Sequence, residues 1–165
     1  MSLMNFTRTE TVAFTGHRNL RFAEEEKLRG FLRATIEKLY QLGKRNFISG
    51  LAIGFDLMAA EEVLLAKKRH ADILLIGAIP FPEQAARYPF FASVKYKDIR
   101  SKLDKEVMVS YAYHTRCYLE RDVWMISKSS FLVAYYDGRR HSGTEFTVNR
   151  AKKIKLPMVN LFECM

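Results

Sequence analysis

Three short groups of residues combine glycine with polar or charged side chains, and this combination suits the binding of an anion. They are Gly16-His17-Arg18, the segment 47–61 (F-I-S-G-L-A-I-G-F-D-L-M-A-A-E), and the pair Gly143-Thr144. Glycine lets a ligand approach the bare backbone, and the first N–H groups of a helix have no partner within that helix. A phosphate group would accept hydrogen bonds from those donors. The chemistry indicated is therefore phosphate binding.

The segment 47–61 is the most informative of the three. Its apolar start, two glycines and helix-forming end predict a strand, a phosphate-binding turn and a helix. It is neither a G-x-G-x-x-G fingerprint nor a Walker loop, because Phe55 and Asp56 stand where Lys and Ser/Thr would follow. A tight turn without a ligand is the alternative. The residues expected to contact a ligand here are Ser49, Gly50, Leu51, Ala52, Gly54 and Asp56.

Each charged candidate has a structural alternative. Arg18 offers a planar fork that can hold a phosphate, and His17 lies beside it, but both could belong to a surface turn. Asp56 could accept a hydrogen bond from a ribose hydroxyl or simply cap its helix. Four further side chains could cover a base, although aromatic residues near loops more often serve packing; they are Tyr88, Tyr111, Tyr113 and His114.

Length and composition favour one domain over the whole chain, 1–165, with residues 1–6 peripheral. The chain has 165 residues and is 48% apolar, which is enough for one full hydrophobic core. No apolar run is long enough to cross a bilayer, and the N-terminus does not resemble a secretory signal, so we expect a cytoplasmic protein without a membrane partner. Cys117 and Cys164 form no C-x-x-C pair, so neither a metal site nor a disulfide is expected.

The formal net charge of +9 is compatible with a nucleic-acid partner or with a phosphate-bearing ligand. Basic residues cluster at two predicted helix ends, 67–69 and 150–155, and along the predicted helix near 95–105, where positive charge is an ordinary feature of a solvated helix. Arg139, Arg140 and His141 differ, because they lie in a loop flanked by glycines. These three are the basic residues best placed for a ligand.

Hydrophobic patterning predicts strands that alternate with helices. The predicted strands are Thr11–Thr15, Phe47–Ser49, Ile73–Ile79, Val107–Ser110, Phe131–Tyr136 and Met158–Phe162. The predicted helices are Glu24–Leu42, Asp56–His70, Cys117–Lys128 and Thr144–Lys153. Residues 83–96 are predicted to form a cap or an irregular helix that leads into a helix near Ile99–Leu103.

This alternation predicts an α/β fold with a Rossmann-like, doubly wound, mainly parallel sheet of about six strands and helices on both faces. Ligands in such folds bind beyond the carboxyl ends of the strands. Three loops are expected to meet there: Gly16 to Arg18, Gly50 to Asp56, and Asp137 to Thr147.

The motifs T-G-H-R (15–18), S-G-L-A-I-G-F-D (49–56) and S-G-T-E-F-T (142–147) resemble the SLOG superfamily over residues 11–162. This Rossmann-like group includes the LOG phosphoribohydrolases, the DNA-processing DprA (Smf) proteins and the YpsA family. The second motif is similar to S-G-L-A-x-G-I-D of the DNA-processing proteins. Chain length and the R-D-x-x-M run at 121–125 are more similar to the YpsA family.

The resemblance implies a nucleotide or nucleoside-phosphate ligand across the glycine loops. Its phosphate is expected on the Gly50–Gly54 and Gly143–Thr144 turns, and Thr147 is expected among the ligand contacts. In the LOG hydrolases an Arg and a Glu form the catalytic pair. Arg121 matches the Arg and would be catalytic if this chain were a hydrolase, but Thr147 stands where the Glu belongs. A hydroxyl cannot replace a carboxylate as general base or stabilise an oxocarbenium ion as well.

We therefore expect ligand binding or sensing as the leading function, with no cofactor indicated beyond a nucleotide-type ligand. Hydrolysis of the N-glycosidic bond of a nucleoside 5′-monophosphate is the first alternative. Single-stranded DNA binding is the second, suggested by the positive charge and by the resemblance to the DNA-processing proteins. The resemblance is also compatible with a homo-oligomer.

Overall fold

A computed structural model describes residues 6–165, so the first five residues of the segment predicted to be peripheral lie outside it. Six strands form one parallel sheet in the order β4-β3-β2-β1-β5-β6. Their bounds are β1 (Thr11–Gly16), β2 (Asn46–Ser49), β3 (Leu74–Ile79), β4 (Lys105–Met108), β5 (Phe131–Tyr135) and β6 (Met158–Asn160). The predicted α/β sheet is confirmed, and its strand pairs are all parallel.

The helices cover both faces of the sheet. Their bounds are α1 (Glu25–Gln41), α2 (Phe55–Arg69), α3 (Phe90–Ser101), α4 (Cys117–Ser127), α5 (Gly143–Lys153) and α6 (Leu161–Cys164). Helices α1, α2 and α3 pack on one face, and α4 and α5 on the other. Because successive strand residues point to opposite faces, Val12 and Phe14 enter the first core while Ala13 enters the second.

Helix α3 is regular where we expected a cap or an irregular helix. It runs from Phe90 to Ser101, whereas the prediction placed the cap or irregular helix over 83–96 and a further helix near Ile99–Leu103. Pro89 precedes the helix, where its missing N–H costs nothing, so it marks the start and not a break. Phe90 and Phe91 are exposed, which hid the amphipathic pattern from the sequence.

Two strand boundaries also differ from the prediction. Strand β4 begins at Lys105, two residues before the apolar Val107, because it is an edge strand on which charged residues are tolerated. Strand β6 ends at Asn160, since the Asn160 side chain accepts a hydrogen bond from the Phe162 N–H and starts α6.

The strand order reverses between β1 and β5. From β1 the chain adds β2, β3 and β4 on one side, and it then crosses back to place β5 and β6 on the other. A crevice at the carboxyl ends of the strands is expected at such a point, because the loops after the two strands leave in opposite directions.

Candidate functional site

A cleft of about 410 Å³ lies at the carboxyl ends of β1 and β5. One side of its wall consists of residues 15–19, at the end of β1 and just after it, together with Ala52 and Asp56 at the turn into α2. The other side consists of Tyr118, Arg121 and Asp122 of α4, and of Arg139 and residues 142–144 at the start of α5. The three loops expected to converge therefore meet in one cleft.

The predicted ligand contacts divide between the cleft and the layer behind it. Those that line the cleft are Gly16, His17, Arg18, Ala52, Asp56, Arg121, Gly143 and Thr144. Ser49, Gly50, Leu51 and Thr147 are buried behind it, and Gly54 lines a separate groove beside α2. The Leu51 side chain is in the core, and Ser49 Oγ donates to Asp56 O and accepts from the Leu51 N–H.

The glycines of the first two loops are required by packing within the protein itself. A Cβ on Gly16 would lie 2.4 Å from the Phe55 ring, and one on Gly50 would lie 2.4 Å from Arg121 Nη1. Gly54 has φ = +87°, and a Cβ there would lie 2.3 Å from Arg18 O. This close packing explains the glycine concentration without reference to a ligand.

Arg121 joins α4 to the β2–α2 turn. Its side chain is 4% exposed, and Nη1 donates to Gly50 O at 2.7 Å. Nε donates to Asp122 Oδ1 at 2.6 Å. Gln84 Nε2 donates to the same Gly50 carbonyl at 2.8 Å. Arg121 therefore holds the turn in place and also contributes positive charge to the cleft.

Asp56 is a buried carboxyl group on the cleft wall. The residue is 6% exposed, and Oδ1 has no hydrogen-bond partner within residues 6–165. Burial and, to a lesser extent, the charge of Asp122 raise the pKa of Asp56 to about 7 against the opposing effects of Arg121, Arg18 and a backbone hydrogen bond with Ala52. Asp56 is thus about half protonated near neutral pH and has an oxygen that can accept a hydrogen bond.

The helix starts facing the cleft differ in their free donors. At α2, the Phe55 N–H donates to His17 O and the Leu57 N–H to Ala52 O, so these groups are engaged. At α5, Ser142 Oγ caps the helix by accepting from the Glu145 N–H. The N–H groups of Gly143 and Thr144 have no acceptor in the described chain. The Asp56 N–H has no acceptor in the described chain either, so free donors face the cleft from both helix starts, two at α5 and one at α2.

Two arginines lie beside these donors. Arg18 is exposed and makes no ion pair with any described residue, and its guanidinium lies 5.1 Å from the centre of the Tyr118 ring. Arg139 pairs with Asp137, with Nη2 at 2.9 Å from Oδ2. Both line the cleft with Gly143 and Thr144. This end of the cleft is therefore positive, as an anion site requires.

His17 is a buried link between β1 and the loop after β5. Its Nε2 lies 3.1 Å from Asp137 N and 2.9 Å from Asp137 Oδ1. Burial lowers the pKa of His17, assisted by Arg139 and opposed by Asp137, so the neutral ring prevails at neutral pH. In that state Nε2 accepts from the Asp137 N–H. His17 therefore orients the loop and adds little positive charge.

Asp122, which follows Arg121 in the R-D-x-x-M run, also lines the cleft. Thr147 is 2% exposed, and its Oγ1 lies 3.2 Å from Asp122 Oδ2 and 3.0 Å from Gly143 O. A carboxylate is thus present beside the threonine that replaces the expected glutamate. Tyr118, Asn19 and Ser142 were missed; the spacing of Tyr118 three residues before Arg121 was the available signal, because it places both on one helix face.

A second cavity of about 520 Å³ adjoins the cleft. Arg18 and Tyr118 line both spaces. The remaining aromatic wall consists of Phe81, Tyr88 and Tyr113. Tyr88 and Tyr113 were expected near a base, whereas Tyr111 is 89% exposed and His114 pairs with Glu120 at 3.3 Å.

Within residues 6–165, no helix is long and apolar enough to span a membrane, and no group of three or more His, Cys, Asp or Glu residues could hold a metal ion.

Comparison with known proteins identifies relatives along most of the chain. The SPbeta prophage-derived protein YoqJ of Bacillus subtilis (strain 168) is 33% identical over 143 residues, which cover 79% of this chain and 83% of that protein. The UPF0398 protein BH1768 of Halalkalibacterium halodurans is 27% identical over 117 residues, covering 70% of this chain and 62% of that protein.

Two solved structures share the fold. DNA processing protein A from Helicobacter pylori, described for its single-stranded DNA binding mode, matches with a TM-score of 0.63 and 20% identity over 92% of this chain and 64% of its own. The Moco carrier protein from Chlamydomonas reinhardtii matches with a TM-score of 0.54 and 18% identity over 94% of this chain and 77% of its own.

The model of the YpsA family, described as the YspA SLOG family, matches residues 12–160. That match includes all six strands except the first residue of β1. The chain belongs to the YspA SLOG family.

Proposed function

We propose that this protein binds a nucleotide or a nucleoside-phosphate derivative in the cleft between β1 and β5. The observation that carries the proposal is Asp56, a buried carboxyl group on the cleft wall whose Oδ1 lacks a hydrogen-bond donor. A buried acceptor without a donor is costly, and a ligand hydroxyl would remove that cost. Ribose hydroxyls are donors of the required kind.

The phosphate would lie at the start of α5. The N–H groups of Gly143 and Thr144 would donate to it, with Arg18 and Arg139 supplying positive charge. The same cleft then offers an anion site and a hydroxyl acceptor, which together match a sugar phosphate. The Gly50 turn supports the cleft from behind through Arg121.

Thermal-shift screening against nucleoside mono-, di- and triphosphates, NAD and ADP-ribose tests the proposal. A ligand at a hundredfold excess over its Kd stabilises the folded state by about 2.7 kcal/mol, which corresponds to a rise in Tm of several degrees. The expected result is a shift by at least one phosphate-bearing ligand and none by its nucleoside. If no compound in the panel shifts the Tm, the proposal is wrong.

The start of α5 offers a matched pair of variants for the same experiment. Gly143→Pro removes one N–H donor and suits the fold, because proline is favoured at the first helical position and Ser142 before it is extended. Gly143→Ala keeps the donor, and its Cβ meets nothing within 4 Å. We expect the proline variant to lower affinity about tenfold or more and the alanine variant to bind like the wild type. Equal binding by both would place the phosphate elsewhere.

The hydrolase alternative is tested by incubating the protein with the nucleoside monophosphates of the same panel and analysing the products. Asp122 supplies a carboxylate next to Thr147, so a nucleoside monophosphate could meet an acidic group in the cleft. Free base released by the wild type and not by Asp122→Asn would assign N-glycosidic hydrolysis to the site. Intact nucleotide after prolonged incubation leaves binding as the function.

Single-stranded DNA binding is the second candidate function, favoured by the net charge of +9 and by the fold shared with DNA processing protein A of Helicobacter pylori. Binding that relies on phosphate contacts weakens steeply as salt rises. Fluorescence anisotropy with a labelled oligothymidylate across a salt series measures this slope. Absent or salt-insensitive binding would eliminate this candidate.

A further inference from the structure

The cavity beside the cleft, lined by Phe81, Gln84, Tyr88, Tyr113 and Tyr118, has the composition of a site for a flat aromatic group. We call it the aromatic compartment. Arg18 and Tyr118 belong to its wall and to that of the cleft, so the two spaces adjoin at these side chains. The Arg18 side chain is exposed and lies over the Tyr118 ring, and a ligand held by its phosphate at α5 would reach the aromatic compartment by displacing it.

The rings of the aromatic compartment support one another. Phe81 makes edge-to-face contacts with Tyr113 and Tyr118, with ring centres 5.1 Å and 5.7 Å apart. Tyr113 is 61% exposed although it packs on Phe81. The Tyr118 ring also has the guanidinium groups of Arg18 and Arg121 near its centre, at 5.1 Å and 5.8 Å. Rings held in position are what base stacking requires, because every nucleobase has a flat π surface.

Gln84 gives the aromatic compartment a polar group of fixed orientation. The residue is 4% exposed, and Nε2 donates to Gly50 O at 2.8 Å. Because a carbonyl oxygen accepts only from a donor, the NH₂ group must face Gly50 and the oxygen must face the other way. Oε1 then has no hydrogen-bond partner within residues 6–165.

We propose that the aromatic compartment is a nucleobase site in which Gln84 Oε1 accepts a hydrogen bond from an N–H group of the base. This inference rests on the proposed function and adds to it the class of ligand: a nucleotide whose base carries an N–H donor on its edge. A sugar phosphate without a base would occupy the cleft alone.

The first experiment uses the wild-type protein and compares three probes by isothermal titration calorimetry. They are the tightest-binding nucleoside monophosphate, its analogue without a donor on the base (purine riboside monophosphate or zebularine monophosphate), and ribose 5-phosphate. We expect the natural nucleotide to bind about tenfold or more tightly than the analogue, because the analogue leaves Oε1 unpaired. Equal affinities would overturn the assignment of Gln84.

Variants then distinguish binding in the aromatic compartment from binding in the cleft. Gln84→Leu keeps the side-chain size. It should lower the affinity for the natural nucleotide to that for its analogue and leave the affinity for ribose 5-phosphate unchanged. Tyr118→Ala should weaken the nucleotide about tenfold, whereas Tyr118→Phe, which keeps the ring, should bind within about twofold of the wild type. Circular dichroism and Tm verify that each variant is folded.

The outcomes distinguish this inference from the function on which it rests. If nucleotide and ribose 5-phosphate bind equally, and Gly143→Pro abolishes both, the phosphate site stands and the base site is wrong. If Gln84→Leu weakens ribose 5-phosphate as much as the nucleotide, Gln84 acts only through the Gly50 turn and the base site is again wrong. If none of the three probes and no compound of the thermal-shift panel binds, both proposals fail.

Discussion

At the scale of single residues, Asp56 combines burial with a free acceptor at the edge of a positive cleft. Its neighbours have opposite effects: Arg121 and Arg18 favour the charged form, and Asp122 disfavours it. Desolvation is the largest effect, so the protonated form persists to neutral pH. An anionic ligand nearby would meet a neutral group below this pKa and a negative one above it.

The stability of the ligand-free protein should consequently depend on Asp56. The pKa rises from 3.8 to about 7 on folding, so between these values the folded protein holds a proton that the unfolded chain has lost. The contribution of Asp56 to the free energy of unfolding is fully present below pH 3.8 and is lost as pH rises through about 7. Asp56→Asn removes the titration, and its stability relative to wild type should increase by about 2–3 kcal/mol from about pH 5 to about pH 8.

Urea denaturation across this pH range measures the difference. Asp98→Asn is the control, because the Asp98 side chain is 58% exposed on α3 and far from full burial. Its exposed ion pair with Lys102 is worth little, so this variant should stay within about 0.5 kcal/mol of the wild type. A constant difference between Asp56→Asn and wild type would show that Asp56 is ionised throughout.

At the scale of elements, the turn into α2 depends on the backbone of Gly54. Its φ of +87° is strained for any residue with a side chain, and a Cβ would collide with Arg18 O. Gly30 differs in both respects, because it lies inside α1 with open space around the position of its Cβ. The same substitution at the two sites should therefore have opposite effects.

We expect Gly54→Ala to destabilise the protein by at least about 1–3 kcal/mol and to disturb the cleft through Arg18. Gly30→Ala should stabilise it by about 0.5–1 kcal/mol, since alanine is the better helix former. Chemical denaturation of both variants measures these changes. A neutral Gly54→Ala would mean that the turn relaxes away from Arg18.

The elements were largely predictable because their signals are local. Continuous apolar runs indicated the buried strands β3 and β5, and helical spacing indicated α1. The start of α3 was not predictable, since Phe90 and Phe91 are exposed and break the apolar pattern. The two charged residues of β4 likewise gave no strand signal.

The site was predictable only as loops at strand ends. Sequence position indicated Gly16 to Arg18 and Gly143 to Thr144, because a parallel sheet gathers such residues at one edge. It could not indicate that Arg121 fills the space above Gly50, or that Gln84 turns its amide toward the same carbonyl. Those contacts depend on how α4 and the segment before α3 dock on the sheet.

At the scale of the molecule, the cleft is assembled from distant parts of one sheet. Strand β1 is central and pairs with β2 on one side and β5 on the other. Cleft residues come from the loop after β1, the start of α2, α4 and the start of α5. Ligand binding would therefore connect both halves of the doubly wound fold and stabilise their association.

The central place of β1 has a consequence for synthesis of the chain. Val12 pairs with Phe47 on one edge and with Phe131 on the other. At a translation rate of about 5–20 residues per second, synthesis from β2 to β5 takes on the order of ten seconds. During this time the second edge of β1 has no partner strand. An unpaired strand edge is a template for pairing with other chains. A nascent chain that stalls before β5 thus exposes an open edge in the middle of its future sheet.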